Sequence, residues 1–369
     1  MVEWYYPYLS ILLIFYMKDR IIKVFYYVPE SGIKEREKLY TQGLYRGELA
    51  YGALHLRNFN ILPIDLFPLK EWQSKLWRIL YAFYLIFKSR SYDAIYTPYF
   101  NGLEYAIKLR GLGLFSPKIL IWHHNPIEKV GGNFWAEMKQ KLFYRGCDAL
   151  FFFSEEIKKE SLYSGVDIIH KSYVLKWGPD MFFYNRIRLP YDTRGGIIMS
   201  GRDSRDFATL FDVAKRLPNH HFTVVPPDVE TASLFTSLQN VKIKNFSSSY
   251  EGYYQLACET AKSSLVLILT KPIAGRNLPS GLTSICEATG LGKPCIITDN
   301  KYFDSSLRQS SFAKYVKVCD VDNICYNIEF LFSHHDVLRD MAEAALNYAK
   351  QNDIAKMSQH LSQIIKMMV

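Results

Sequence analysis

Asn277-Leu278-Pro279-Ser280-Gly281-Leu282-Thr283-Ser284-Ile285-Cys286-Glu287-Ala288, continued by Gly292-Lys293-Pro294-Cys295-Ile296-Ile297-Thr298-Asp299, decides the reading of this 369-residue chain. The spacing predicts a polar loop, a helix opening at Thr283 or Ser284, a Gly-Lys-Pro turn and a buried strand. Gly281 permits a positive φ and lets backbone come close to a ligand. The free N–H groups and partial positive charge at the helix start favour an anion. Thr283 and Ser284 add hydroxyl donors there. Glu287 falls about one turn further in, where a carboxylate can accept hydrogen bonds from a ribose diol. A loop that holds a diphosphate beside a carboxylate that holds a ribose describes a nucleotide-sugar site. A plainer reading stays open: Ser284-x-x-Glu287 is also a capping box, and Gly-Lys-Pro an ordinary helix-to-strand turn.

Upstream, apolar β-prone runs alternate with helical patterns. Strands are expected at residues 21–28, 59–64, 92–96, 118–122 and 149–153, separated by helices at 45–58, 72–87, up to 110 and 134–145, with a polar loop over 30–47. The Gly178-Pro179-Asp180 punctuation marks a crossover. A second series follows, with strands at 196–200, 222–225, 241–246 and 265–269 and helices at 206–216 and 250–261, closed by amphipathic helices at 336–350 and 353–367. This alternation predicts an α/β chain with two parallel sheets, two Rossmann-like domains. The length also favours two cores over one.

Composition narrows the partners. The chain is 49% hydrophobic, which suits packed domains, and its formal net charge of +9 calls for an anionic partner. It has no zinc-finger spacing, RNA-binding sheet signature or long Lys/Arg run, so nucleic acid is not expected. Cys147, Cys258, Cys286, Cys295, Cys319 and Cys325 form no CxxC pair and read as reduced thiols of a cytoplasmic protein. Trp4 to Met17 is almost wholly apolar and aromatic, too short for a confident span and without a signal-peptide pattern. A packed arm and an interfacial segment both fit it. The apolar helix at 72–87, flanked by Lys70, Lys75, Arg78, Lys88 and Arg90, likewise reads as core or interfacial. Peripheral contact with the inner face of the cell membrane is the expectation these two segments raise.

The opening stretch resembles the donor-binding signature of GT-B glycosyltransferases, in particular the large retaining family four. The resemblance is strong over roughly 145–300 and weak before residue 90. Its usual pattern has two glutamates eight positions apart; Glu287 matches the second, while Pro279 stands in place of the first. Branches with Gly-x-Thr-Ser-x-x-Glu-Ala lack the first acid, and this chain is similar to those. The resemblance implies a GT-B architecture in which two Rossmann-like domains face a cleft. Residues 1–178, with 1–20 as an extension, would bind the acceptor. Residues 179–350 would bind the nucleotide sugar, and 351–369 would return as a helix to the first domain.

It also implies site residues. Ser200-Gly201-Arg202-Asp203-Ser204-Arg205 lies in a strand-to-helix loop, where α/β sheets bind ligands. Arg202 and Arg205 match the family's diphosphate residues, with a solvated helix start capped by Ser204 as the alternative. Gly201, Ser280, Gly281, Leu282, Thr283, Ser284 and Glu287 would complete the donor site, and Asn245-Phe246 would meet the base, uracil being the commonest. His124, after His123 at a strand end, would position acceptor or donor sugar, with Arg46 and Glu48 as further cleft residues. The acceptor would be a glycan, lipid-linked, in surface polysaccharide assembly. No cofactor or metal is implied. Asp320-Val321-Asp322 has the DxD spacing of the other glycosyltransferase fold, but Asp322 is placed to cap a helix at 323–332. Two alternatives accompany this reading: a sugar-nucleotide epimerase of the same architecture, and a non-catalytic nucleotide-sugar-binding partner protein.

Overall fold

The computed structural model describes residues 20–29, 31–66, 74–273 and 278–369. The apolar arm from Trp4 to Met17, the start of the helix at Trp72 and Asn277 lie outside the described residues. Two six-stranded sheets carry the chain. The first has the order β2-β1-β3-β4-β5-β6 and is built from β1 (Ile22–Tyr26), β2 (Ile61–Ile64), β3 (Ala94–Thr97), β4 (Lys118–His123), β5 (Ala149–Phe152) and β6 (Ser172–Val174). The second has the order β12-β11-β10-β7-β8-β9, from β7 (Ile197–Ser200), β8 (Phe222–Val225), β9 (Val241–Ile243), β10 (Leu265–Ile268), β11 (Cys295–Thr298) and β12 (Ala313–Val316). Neighbouring strands run parallel, and β3, β5, β7, β10 and β11 are buried throughout, as continuous apolar runs in helix-covered parallel sheets are.

The second sheet reverses its order between β7 and β10. Ligands of such sheets bind beyond the carboxyl ends of the strands at that switch point. The loops leaving those ends are residues 201–206 and 269–281, so topology alone brings the two arginine- and glycine-bearing segments together. The last helix, Ile354–Met368, sets Ile354, Met357, Leu361, Ile364 and Ile365 into the core on one face of the first sheet.

Several local expectations are corrected. The expected polar loop at 30–47 contains a helix, Ile33–Thr41, whose first N–H groups are capped from far along the chain: Asp65 accepts from Ile33 N at 2.5 Å and Lys34 N at 3.1 Å. The expected helix at 45–58 is two 3-10 segments, Gly47–Ala50 and Ala53–Phe59, broken where Tyr51 and Gly52 turn left-handed at φ 50° and 81°. The signature helix opens earlier than expected, at Leu282, with Gly281 as its cap residue. Ser284 therefore does not cap it, and the capping-box reading falls. Asp320, not Asp322, caps the helix Val321–Ser333, accepting from Asn323 N at 3.2 Å. Asp322 is exposed and pairs with Arg216. Among the described residues no helix is long and apolar enough to cross a membrane.

Candidate active site

The loop after β7 is pinned to the end of β10: Asp206 N donates to Leu269 O at 3.0 Å and Lys271 N to Ser204 O at 2.9 Å. Gly201 sits at φ 123°, and a Cβ there would lie 2.3 Å from the Arg205 Nε, so a glycine lets the arginine fold back under its own loop. Arg205 Nε donates to Ser200 O at 2.8 Å and Nη2 to Ser284 Oγ at 2.7 Å. Its Nη1 is closed off from solvent with no partner. Buried cationic donors without an acceptor are costly, and burial draws the Arg205 pKa down to about 10. The open donor lies toward Gly281, the φ 100° residue that starts the helix Leu282–Gly290. A guanidinium N–H, a serine hydroxyl and the free amides of a helix start converge there, the donor set of an oxyanion such as phosphate.

The other donor-side residues surround this point. Ser280 Oγ donates to Ser204 Oγ at 3.0 Å, Leu282 packs on the apolar layer beneath, and Thr283 is exposed in the first turn. Arg202 is exposed and donates to Ser248 Oγ, which ties this loop to the segment after β9, where Asn245 is exposed and Phe246 half-buried. Arg202 and Arg205 are thus unequal: one rests on the surface, the other aims a bare donor inward.

Glu287 is 4% exposed, and both its oxygens are engaged by protein. Thr260 Oγ1 donates to Oε1 at 2.7 Å, and Arg46 Nη1 donates to Oε2 at 2.6 Å from the other half of the molecule. Arg46 in turn stands 4.0 Å from Glu48. Glu48 is fully buried, accepts from Tyr184 OH at 2.6 Å, and is pushed up to about 7 by burial, against the pull of Arg46. Asp180 adjoins it, receives Gly47 N at 3.0 Å and Phe182 N at 3.0 Å, and is raised to about 6 by burial. Arg46 and Glu48 thus form an ionic seam between the halves. Thr260 and Tyr184 also belong to it and were not foreseen, because each pairs with a residue far away in sequence. The one local signal was Asp180 after Gly-Pro at the crossover.

At the carboxyl end of the first sheet, His124 stacks on Phe153 at 5.4 Å, meets Tyr99 edge-on at 5.1 Å, and lies 3.1 Å from Tyr51 OH through Nε2. Tyr51 stacks on Trp177 at 5.7 Å. Burial lowers His124 to about 4 and His123 to about 3, so both rings are neutral at pH 7. His123 Nε2 is buried without a partner, and its ring stacks on Phe152 at 5.8 Å, which makes it a core residue. Among the described residues no cluster of three or more His, Cys, Asp or Glu is arranged to hold a metal.

No family model matches this sequence, and no curated protein sequence matches it. Solved structures do. A glycosyltransferase from Rickettsia africae ESF-5 superposes with a TM-score of 0.66 at 16% identity, covering 94% of this chain and 98% of that one. Anabaena HepE, solved with UDP and glucose, gives 0.63 at 14% identity over 94% of this chain and 99% of its own. A protein from Listeria monocytogenes described as a UDP-N-acetylglucosamine 2-epimerase gives 0.58 at 13% identity over 94% and 96%. At such identities the likeness shows the fold: the chain has the GT-B architecture, two Rossmann-like domains each built on a six-stranded parallel sheet.

Proposed function

We propose that this protein is a glycosyltransferase that moves a sugar from a nucleoside-diphosphate sugar to a hydroxyl acceptor with retention. The observation that carries the reading is the unpartnered Arg205 Nη1, shut away from water beside Gly281 and the start of the helix Leu282–Gly290. In this reading the diphosphate fills that point, held by Arg205, Ser284 and the amides of 281–283, with Arg202, Gly201, Ser280 and Thr283 around it. Leu282 supports the turn from below. Glu287 takes the ribose once Arg46 releases it, and Asn245 and Phe246 flank the base, with uridine diphosphate the carrier. HepE, solved with UDP and glucose, makes that carrier the first to try.

The chemistry needs little else. The bond between the anomeric carbon and the diphosphate oxygen breaks, with its electron pair going to the diphosphate. The acceptor oxygen bonds to the same face of the anomeric carbon, and its proton passes to the departing phosphate oxygen. Arg205 stabilises charge as it builds on that leaving group. His124, neutral at pH 7, positions a sugar hydroxyl. The acceptor lies against residues 1–178, the donor in 179–350, and 351–369 ties the two. We assign a lipid-linked glycan acceptor, a role in surface polysaccharide assembly, no metal requirement, and a cytoplasmic site, which suits the six free cysteines.

The test is release of nucleoside diphosphate from a panel of nucleotide sugars, with and without a native lipid extract. Lipid-dependent release from one donor, lost in Arg205→Ala, supports the proposal. Conversion of a donor to its epimer without any acceptor would instead make the chain a sugar-nucleotide epimerase, the reading favoured by its likeness to the Listeria protein. Nucleotide binding with no turnover of any donor would make it a non-catalytic binding protein, in line with a Glu287 already engaged by Arg46.

A further inference from the structure

The helix Lys75–Phe87 is apolar on two opposite faces. Tyr81, Ala82 and Leu85 point inward and are buried in the core of the first sheet. On the far side Leu76, Leu80, Phe83 and Phe87 are 64%, 43%, 57% and 80% exposed. Their spacing of four, three and four residues puts all four on one stripe of the helix. Single exposed apolar residues need no account, but a continuous row of large ones marks an interaction surface.

Charge decides what the surface meets. Lys75, Arg78 and Lys108 line a pocket of about 330 Å³ on the flank of this helix, with Tyr105 and Glu104. Arg78 holds Glu104 at 3.2 Å, and the Lys108 ammonium sits over the Tyr105 ring at 5.5 Å, so the cations outnumber the one carboxylate. At the helix's other end the Lys88 ammonium lies over the Phe87 ring at 5.6 Å, with Arg90 exposed just beyond. A convex apolar ridge between two basic ends matches a helix lying in the plane of a lipid surface, apolar side chains among acyl chains and cations at the headgroups. The whole chain's charge of +9 acts in the same sense.

We propose that the outward stripe of the helix Lys75–Phe87, with its basic pocket, docks the protein on an anionic phospholipid bilayer. The pocket lies between the first turns of Lys75–Phe87 and of Glu104–Gly111. Those helices leave the carboxyl ends of β2 and β3, so the pocket stands on the sheet edge that faces the cleft. The docked protein therefore presents its cleft beside the headgroup layer. This surface is argued apart from the donor site, and its test reads no turnover, so its failure leaves the proposed function standing.

The experiment is flotation of the full chain with vesicles of phosphatidylglycerol and phosphatidylcholine, and with phosphatidylcholine alone, at low and high salt. Binding to the anionic vesicles, weakened by salt, is expected. Leu80→Glu/Phe83→Glu and Lys75→Ser/Lys108→Ser should each lower the bound fraction at least about tenfold. Circular dichroism and nucleotide binding identify a variant that fails to fold, and Phe87→Ser, at the most exposed position, then replaces it. Three results overturn the proposal. One is no vesicle binding. Another is binding that the stripe variants leave intact, which would assign it to another segment such as residues 1–19. The third is a concentration-dependent dimer that the same substitutions abolish, which would give the stripe to a second copy of the chain.

Discussion

The two sheets are built alike and end differently. Each has six parallel strands, and each sends its loops into the cleft from the carboxyl ends. The first sheet ends in rings: Tyr51, Tyr99, His124, Phe153 and Trp177 pack face and edge on one another around a histidine held neutral by burial. The second ends in donors: Arg205, Ser284 and the amides after Gly281, with one guanidinium N–H left open. Two six-stranded parallel scaffolds thus present one wall of aromatic rings and one wall of hydrogen-bond donors. The fold supplies the position, and a handful of loop side chains supply the chemistry. Between the walls, Arg46 and Glu287 join the halves through a buried ion pair.

That contrast can be broken at four points. Glu287→Ala should have the largest effect, a loss of about 3–5 kcal/mol in urea denaturation, because it takes the 2.6 Å partner from a buried Arg46 and leaves it only Glu48 at 4.0 Å. A loss under about 1 kcal/mol would mean that the pair does not join the halves. Next comes Arg205→Ala, which should lower nucleotide-dependent turnover about 10²–10³-fold while the fold persists. Arg205→Lys should rescue little, since a lysine cannot reproduce the fork that reaches both Ser284 and the open position. An unchanged rate would move the anion site away from the second wall.

The third point is pH. The Glu48 pKa is raised from 4.5 to about 7 by burial. A carboxyl raised in the folded state stabilises it most below the unfolded pKa, and that contribution is lost as pH rises through the folded one. Glu48→Gln does not titrate. Its stability should therefore gain on the wild type by about 2–3 kcal/mol between pH 4.5 and 7, then hold level. Paired urea melts at pH 5 and 8 read this, and a pH-independent difference would remove Glu48 from the seam. The smallest effect falls on the aromatic wall. His124→Phe keeps the stack on Phe153 and loses the bond to Tyr51, a cost of about 1 kcal/mol, and donor binding should not change. Weaker nucleotide binding in this variant would show that the two walls do not divide the work as drawn.

Much of this was legible in the sequence. The residues 222–225 and 295–298 are strands as their apolar runs predict, and the signature loop, helix, turn and strand follow in the expected order. These features are local, set by hydrophobic period and by glycine and proline. What escaped depends on distant partners. The helix Ile33–Thr41 is capped by Asp65, and Ser284 serves Arg205 instead of its own helix. Arg46 was readable as a cleft residue, but its contact with Glu287 spans 241 positions and leaves no pattern in either neighbourhood.

The helix Ile354–Met368 has a consequence for how the chain is made. Five of its side chains complete the core of the first sheet, whose last strand ends at Val174. During synthesis, about 180 residues must follow that strand before the layer can close, at roughly 5–20 residues per second. For some ten seconds or more, the nascent first half shows water an apolar strip that only a distant segment will cover. Chaperone occupancy should therefore persist on nascent and newly released chains past the first sheet, and fall only once residues 354–368 are free to pack back onto it.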